Sequence, residues 1–209
     1  MTDVFRYTLL ADGTSDQVLM PMLDWLLREH MGDHRVVGSF ARDFGPVGND
    51  LSSRLGAAIR NFPCDLLFIH RDAEAASRDQ RLNEIGGATQ NMVVPYVPVI
   101  PVRMTETWLL AEESAIRFAS GNSSGRMPLN LPARARWESL PDPKEVLMNA
   151  LRVASGRSKR ALDKFRPERA RHLISPHIES FDNLRGIPSF DALEADLLNQ
   201  LENIRNALD

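Results

Sequence analysis

Apolar residues follow two alternating rhythms along the first 120 positions. Short apolar runs stand at Phe5–Ala11, Arg35–Phe40, Asp65–His70 and Pro95–Val102, and each has the length of a strand. Between them the spacing turns helical. From Asp16 to about Met31, Val18, Leu19, Met22, Leu23, Leu26 and Leu27 fall on one face. Asp50–Asn61, Ala73–Ile85 and Glu106–Phe118 predict three further helices. The third run, Leu66-Leu67-Phe68-Ile69, is apolar at every position, as a strand covered on both faces should be. Pro98 and Pro101 in the fourth run lack an amide donor and put that strand at an edge. Four rounds of strand and helix predict an α/β fold with a four-stranded, mainly parallel sheet flanked by helices. Its crossovers should be right-handed.

The pattern changes near residue 121. Gly121-Asn122-Ser123-Ser124-Gly125 reads as a loop, and Pro128, Pro132, Pro141 and Pro143 punctuate the stretch beyond it. Helices are expected at 143–154, 159–174 and 189–208. The last carries a stripe of Phe190, Leu193, Leu197, Leu198, Leu201 and Ile204. The chain therefore divides into an α/β domain over 1–120 and a helical C-terminal extension over 121–209 that packs on it.

Composition narrows the classes. Of 209 residues, 43% are hydrophobic and 25% charged, which excludes wholesale disorder. The single cysteine, Cys64, excludes an internal disulfide and a cysteine-based zinc site, and its place before a strand predicts a buried, inert thiol. No apolar run approaches the roughly 18 residues of a membrane span. The first residues lack a basic start followed by an apolar stretch, so a cytoplasmic location with no membrane partner is expected.

The net charge of −3 conceals an asymmetry. Residues 1–125 hold 11 basic and 16 acidic side chains, residues 126–172 hold 12 and 5, and residues 173–209 hold 2 and 7. The basic middle suits either phosphate contacts or a solvated helix face. Between Arg152 and Arg171 the one aromatic is Phe165, which favours backbone contacts over base stacking. Arg157, Lys159, Arg160 and Lys164 are the candidate nucleic-acid-binding residues.

In open parallel sheets, ligands bind outside the carboxyl ends of the strands. Asp12-Gly13-Thr14-Ser15-Asp16 follows the first strand, His70-Arg71-Asp72-Ala73-Glu74 the third, and Arg103-Met104-Thr105-Glu106-Thr107-Trp108 the fourth. If those strands are neighbours, Asp12, Asp72, Glu74 and Glu106 converge. Clustered carboxylates repel, and a hard cation such as Mg²⁺ or Mn²⁺ relieves the repulsion. Capping is the competing reading: Thr14 for the first helix, Asp72 for the third and Thr105 for the fourth. His70 ends an apolar strand where packing does not ask for an imidazole, so it is a candidate ligand or acid/base. Trp25 and Trp108 are expected in the core. The pairs His30/His34 and His172/His177 lack a third ligand at metal spacing and read as surface histidines.

These segments resemble the Toprim type of domain. More narrowly, they are similar to a family of uncharacterised bacterial Toprim-like proteins, distantly related to the nuclease domains of overcoming-lysogenization-defect proteins. The family's Glu-Gly-x-Thr-Glu stands here as Asp12-Gly13-Thr14-Ser15-Asp16. Its Asp-x-Asp stands as His70-Arg71-Asp72, and its Glu-x-Trp-Leu as Glu106-Thr107-Trp108-Leu109. Lys164 and Pro188-Ser189-Phe190 match its later pattern loosely. The resemblance implies an Mg²⁺-dependent phosphodiesterase, a nuclease working with a partner protein such as an ATPase in bacterial defence. Carried over, it gives Asp12 the acid/base role of the family's Glu and Asp72 the second metal-ligand role. Together with the groups read at the strand ends, the candidates are Asp12, His70 and Glu106 for catalysis and Asp12, Asp72, Glu74 and Glu106 for metal. Two departures stand out. Asp12 is a methylene shorter than the family's Glu, and His70 removes a negative charge where the family has Asp. The alternative is a non-enzymatic binding or regulatory module that keeps the fold with a degenerate site.

Overall fold

A computed structural model describes residues 4–74 and 76–207. Four strands form one sheet: β1 Val4–Leu10, β2 Arg35–Ala41, β3 Leu66–His70 and β4 Tyr96–Val99. Their order is β2-β1-β3-β4 and every pairing is parallel. β4 lies at an edge, as its Pro98 requires.

Side-chain alternation sends each strand into two cores. Phe5, Tyr7 and Leu9 of β1, Leu66 and Phe68 of β3, and Val97 and Val99 of β4 enter one apolar cluster. α1 (Met20–Met31) and the C-terminal helices cover it. Leu10, Leu67 and Ile69 face the other way, under α2 (Leu51–Asn61) and α3 (Arg78–Thr89). β3 is buried at all five positions, which is why its sequence is uniformly apolar.

The helices differ from the sequence reading mainly at their starts. The first opens as a 3-10 turn, Thr14–Leu19, and becomes α-helical only at Met20, with Pro21 at its first turn. Helix α3 begins at Arg78 rather than Ala73 because Ser77 caps it, with Gln80 reciprocating in a capping box. The segment expected as one helix over 106–118 is a 3-10 stretch, Thr105–Ala111, followed by α4 (Glu113–Ala119).

Beyond residue 121, α5 (Pro143–Ala154) and α8 (Pro188–Asn206) form as expected. The span 159–174 does not make one helix. It breaks into α6 (Lys159–Leu162), α7 (Pro167–Ala170) and a 3-10 turn over Arg171–Leu173. Pro167 accounts for the break, since it cannot donate to the preceding turn and opens α7 at its first position. Leu147, Leu151, Ile174, Phe190, Leu193 and Leu197 join the cluster that holds β1, β3 and β4. One core thus unites the sheet with the C-terminal part. Trp108 is buried in it, edge-on to Phe190 at 5.8 Å, with its indole N–H donated to Ser189 Oγ.

Candidate functional site

Chain order reverses between β1 and β3, so the loops after these two strands face each other across a crevice. His70 is the last residue of β3, paired in register with Val99 of β4. That register brings the Thr105–Ala111 turn beside the loop after β3. Thr105 donates its backbone N–H to Asp72 Oδ1 at 3.0 Å, and its hydroxyl lies 3.1 Å from His70 Nε2 and 3.3 Å from Asp72 Oδ1. His70 Nε2 is 3.3 Å from the same carboxylate oxygen. On its other side, His70 Nδ1 lies 3.6 Å from Asp16 Oδ2 and has no hydrogen-bond partner among the described residues.

Asp16 in turn accepts the Gly13 N–H at 3.1 Å and the Ser15 hydroxyl at 3.3 Å. Arg171 reaches into the same place from the basic segment. Its Nη1 is 3.1 Å from Glu106 Oε1 and its Nη2 is 3.8 Å from Asp16 Oδ1. Neighbouring His172 is held below its ordinary pKa, first by burial and then by the Arg171 charge.

Burial sorts these groups by what they can touch. His70, Asp16, Glu106 and Arg171 are 1%, 6%, 3% and 7% exposed, so none can meet a bulky substrate directly. Asp72, with a quarter of its side chain open, is where the cluster reaches solvent. The line Asp16–His70–Asp72 places a buried imidazole between two carboxylates. Such an arrangement can orient the Asp72 carboxylate.

The other candidate residues lie outside this cluster. Asp12 is about half exposed and receives Arg54 Nη1 at 3.0 Å and Arg71 Nη1 at 3.2 Å. Arg54 also donates to the Ala11 carbonyl, and Arg71 also pairs with Glu84. Asp12 borders a cleft of about 300 Å³ with Gly13, Thr14, Arg42, Asn49 and Arg54. Glu74 sits at φ 52° and pairs loosely, at 3.8 Å, with Arg81. A cavity of about 710 Å³ opens at the amino ends of the strands between Val4, Phe5, Leu201 and Ile204, away from every candidate residue.

Capping turns out differently from expectation. Asp16, not Thr14, satisfies the start of the first helical turn, through the Gly13 N–H. Asp72 does not cap α3, which begins six residues later, but accepts the first N–H of the Thr105–Ala111 turn. The Thr105 hydroxyl serves the site instead of a helix end. Three contributors escaped the sequence reading. Asp16 had a signal, as the second acid of Asp-Gly-Thr-Ser-Asp. Thr105 stood beside Glu106. Arg171 had none, as one arginine among many.

The donor set can be tested against a resident Mg²⁺ or Mn²⁺, which needs several oxygen ligands free to turn inward. Here Asp12 faces Arg54 and Arg71, Glu106 faces Arg171, and Asp72 is engaged by Thr105 and His70. Among the described residues, no three His, Cys, Asp or Glu side chains gather closely enough to hold one ion. As arranged, these residues do not fit a resident divalent cation.

The basic candidates lie on the surface. Arg157, Lys159, Arg160 and Lys164 are all exposed, and none forms an ion pair among the described residues. Arg157 rests over the Phe165 ring, 5.2 Å from its centre. Among the described residues no helix is long and apolar enough to cross a membrane. No protein-family model, curated protein or solved structure matches the chain.

Proposed function

We propose that this protein is a binding module for a nucleic-acid backbone, and that its Toprim-like cleft serves recognition rather than cleavage. The observation that carries this is the set of unpaired surface cations, Arg157, Lys159, Arg160 and Lys164. Arg54, Arg71, Arg81, Arg117 and Arg185 are matched to carboxylates, and cations such as Arg35, Arg60 and Arg126 stand singly, whereas these four fall within eight consecutive positions. Here the positive field is left for a partner, and a polyphosphate chain is its simplest complement. The same segment ends at Arg171, which pairs with Glu106 and Asp16 in the cleft.

Filter binding of duplex DNA in EDTA, over a salt series, tests this. Wild-type protein should bind weakly, without sequence preference and with steep salt dependence. Replacing Lys159, Arg160 and Lys164 by Ala should lower the log–log salt slope by about 2–3 units, close to 0.9 per phosphate contact. Absence of binding at low salt, or an unchanged slope, would sink the proposal.

A second reading, a divalent-ion-dependent phosphodiesterase, draws on a different observation. Asp12 and Asp72, on loops after adjacent strands, are partly open to solvent, and to hold an ion Asp12 would have to release Arg54 and Arg71, and Asp72 would have to release Thr105. It requires Mn²⁺-dependent cleavage of DNA or RNA that disappears in Asp72→Ala. Cleavage of that kind would replace the binding-only reading.

A further inference from the structure

The buried cluster contains more acid than its histidine can balance. Asp16 and Glu106 are both nearly sealed from water, where an unpaired carboxylate is costly. The group that meets them both is Arg171, delivered from the start of a 3-10 turn that comes after the proline-opened helix α7. Its guanidinium is itself buried, and its Nη2 lies 3.5 Å from the Ser15 carbonyl. Arg171 Nε and His70 Nδ1 are buried without hydrogen-bond partners among the described residues. What holds the guanidinium is the pair of carboxylates on either side of it.

We propose that Arg171 is a built-in cation: it occupies the position between Asp16 and Glu106 that a divalent ion would otherwise take, and so makes the cleft metal-independent. The inference holds whether or not the basic surface binds nucleic acid. An arginine cannot lose its charge near neutral pH, so the balance persists without metal supply. Because Arg171 is covalently continuous with α6 and α7, it also ties the position of the basic segment to the carboxylates of the cleft.

The test is thermal melting in EDTA and in Mn²⁺, with Mn²⁺ binding monitored by its electron paramagnetic resonance signal. Wild-type protein should melt at the same temperature in both and show no Mn²⁺ site that depends on Asp16. Arg171→Met should melt lower in EDTA. It should also gain one Mn²⁺ site, with a rise of about 3–6 °C at ten times the Kd. Asp16→Asn added to that variant should abolish the gain. A wild-type Mn²⁺ site lost on Asp16→Asn would overturn the proposal, as would a folded Arg171→Met protein that ignores Mn²⁺. If Arg171→Met does not fold, the double variant Arg171→Met/Glu106→Gln decides in EDTA alone. Removing charge and counter-charge together should restore folding, whereas a double variant no better than the single one refutes charge balance.

Discussion

Thr105 is fully buried, and its hydroxyl is shared between His70 and Asp72. Valine has nearly the same shape without the hydroxyl. Thr105→Val should therefore cost about 1–3 kcal/mol in urea unfolding, the penalty of buried polar atoms left without a partner. Thr105→Ser should cost less, and an equal loss in the two variants would mean that the methyl group matters more than the hydroxyl. Glu194 gives the residue scale its pH dependence. Arg185 donates to both of its oxygens and His30 Nε2 lies at 2.7 Å, so its carboxyl is held below the ordinary value of 4.5. A depressed acid stabilises the fold above its unfolded pKa and loses that contribution as the pH falls through the folded one. Melting temperature should thus fall below about pH 4.5, and Glu194→Gln should flatten this part of the acid limb. Cys64, expected to be buried before β3, is only half-buried, and that partial burial pushes its thiol pKa up.

Strand β2 illustrates what an element demands of its neighbours. Gly38 lies opposite Tyr7 in the β1 ladder, and a Cβ there would come within 2.4 Å of the Tyr7 ring. Tyr7 is fixed by its hydrogen bond to Asp24 at 2.8 Å, and burial, reinforced by that carboxylate, pushes its hydroxyl pKa far up. The ring cannot yield without breaking this bond. Gly38→Ala should destabilise by about 1–3 kcal/mol, the usual penalty of overpacking, and Gly38→Ala combined with Tyr7→Phe should recover part of it. Recovery separates a clash from a loss of strand propensity, which Tyr7→Phe would not mend. In the C-terminal part, Pro167 ends what would have been a continuous basic helix and turns the chain so that Arg171 enters the cleft.

At the scale of the whole molecule, the division at residue 120 is a boundary of pattern, not of packing. Leu147, Phe190, Leu193 and Leu197 are buried in the same cluster as Tyr7, Phe68 and Val97. A fragment of residues 1–120 would expose that face of the sheet. It should lose its near-ultraviolet circular dichroism and bind hydrophobic dyes, as a loosely packed state does. A fragment with a cooperative melt and native near-ultraviolet signal would show that the first half holds its own core. Within the full chain, Leu193→Ala should cost about 2–5 kcal/mol, because this α8 side chain is buried in the core that spans both halves.

The strands, their parallel pairing and the loops that carry acids were legible in the sequence. Hydrophobic periodicity is a local property, and burial on one or both faces writes it directly into successive residues. Edge placement of β4 was legible too, because Pro98 lacks a donor wherever it stands. Which acids meet was decided by the fold. Asp12 and Asp16 stand four positions apart in one motif, yet Asp12 turns to Arg54 and Arg71 while Asp16 meets His70 and Arg171. Side-chain direction at a loop depends on long-range partners that local spacing does not encode. Arg171 is the extreme case: an arginine 155 positions after Asp16 becomes its counter-charge only because α7 and its turn pack against the start of the first helix. Pairing of buried charges is set by proximity in space and by the cost of leaving either unpaired, and neither quantity exists until the chain has folded.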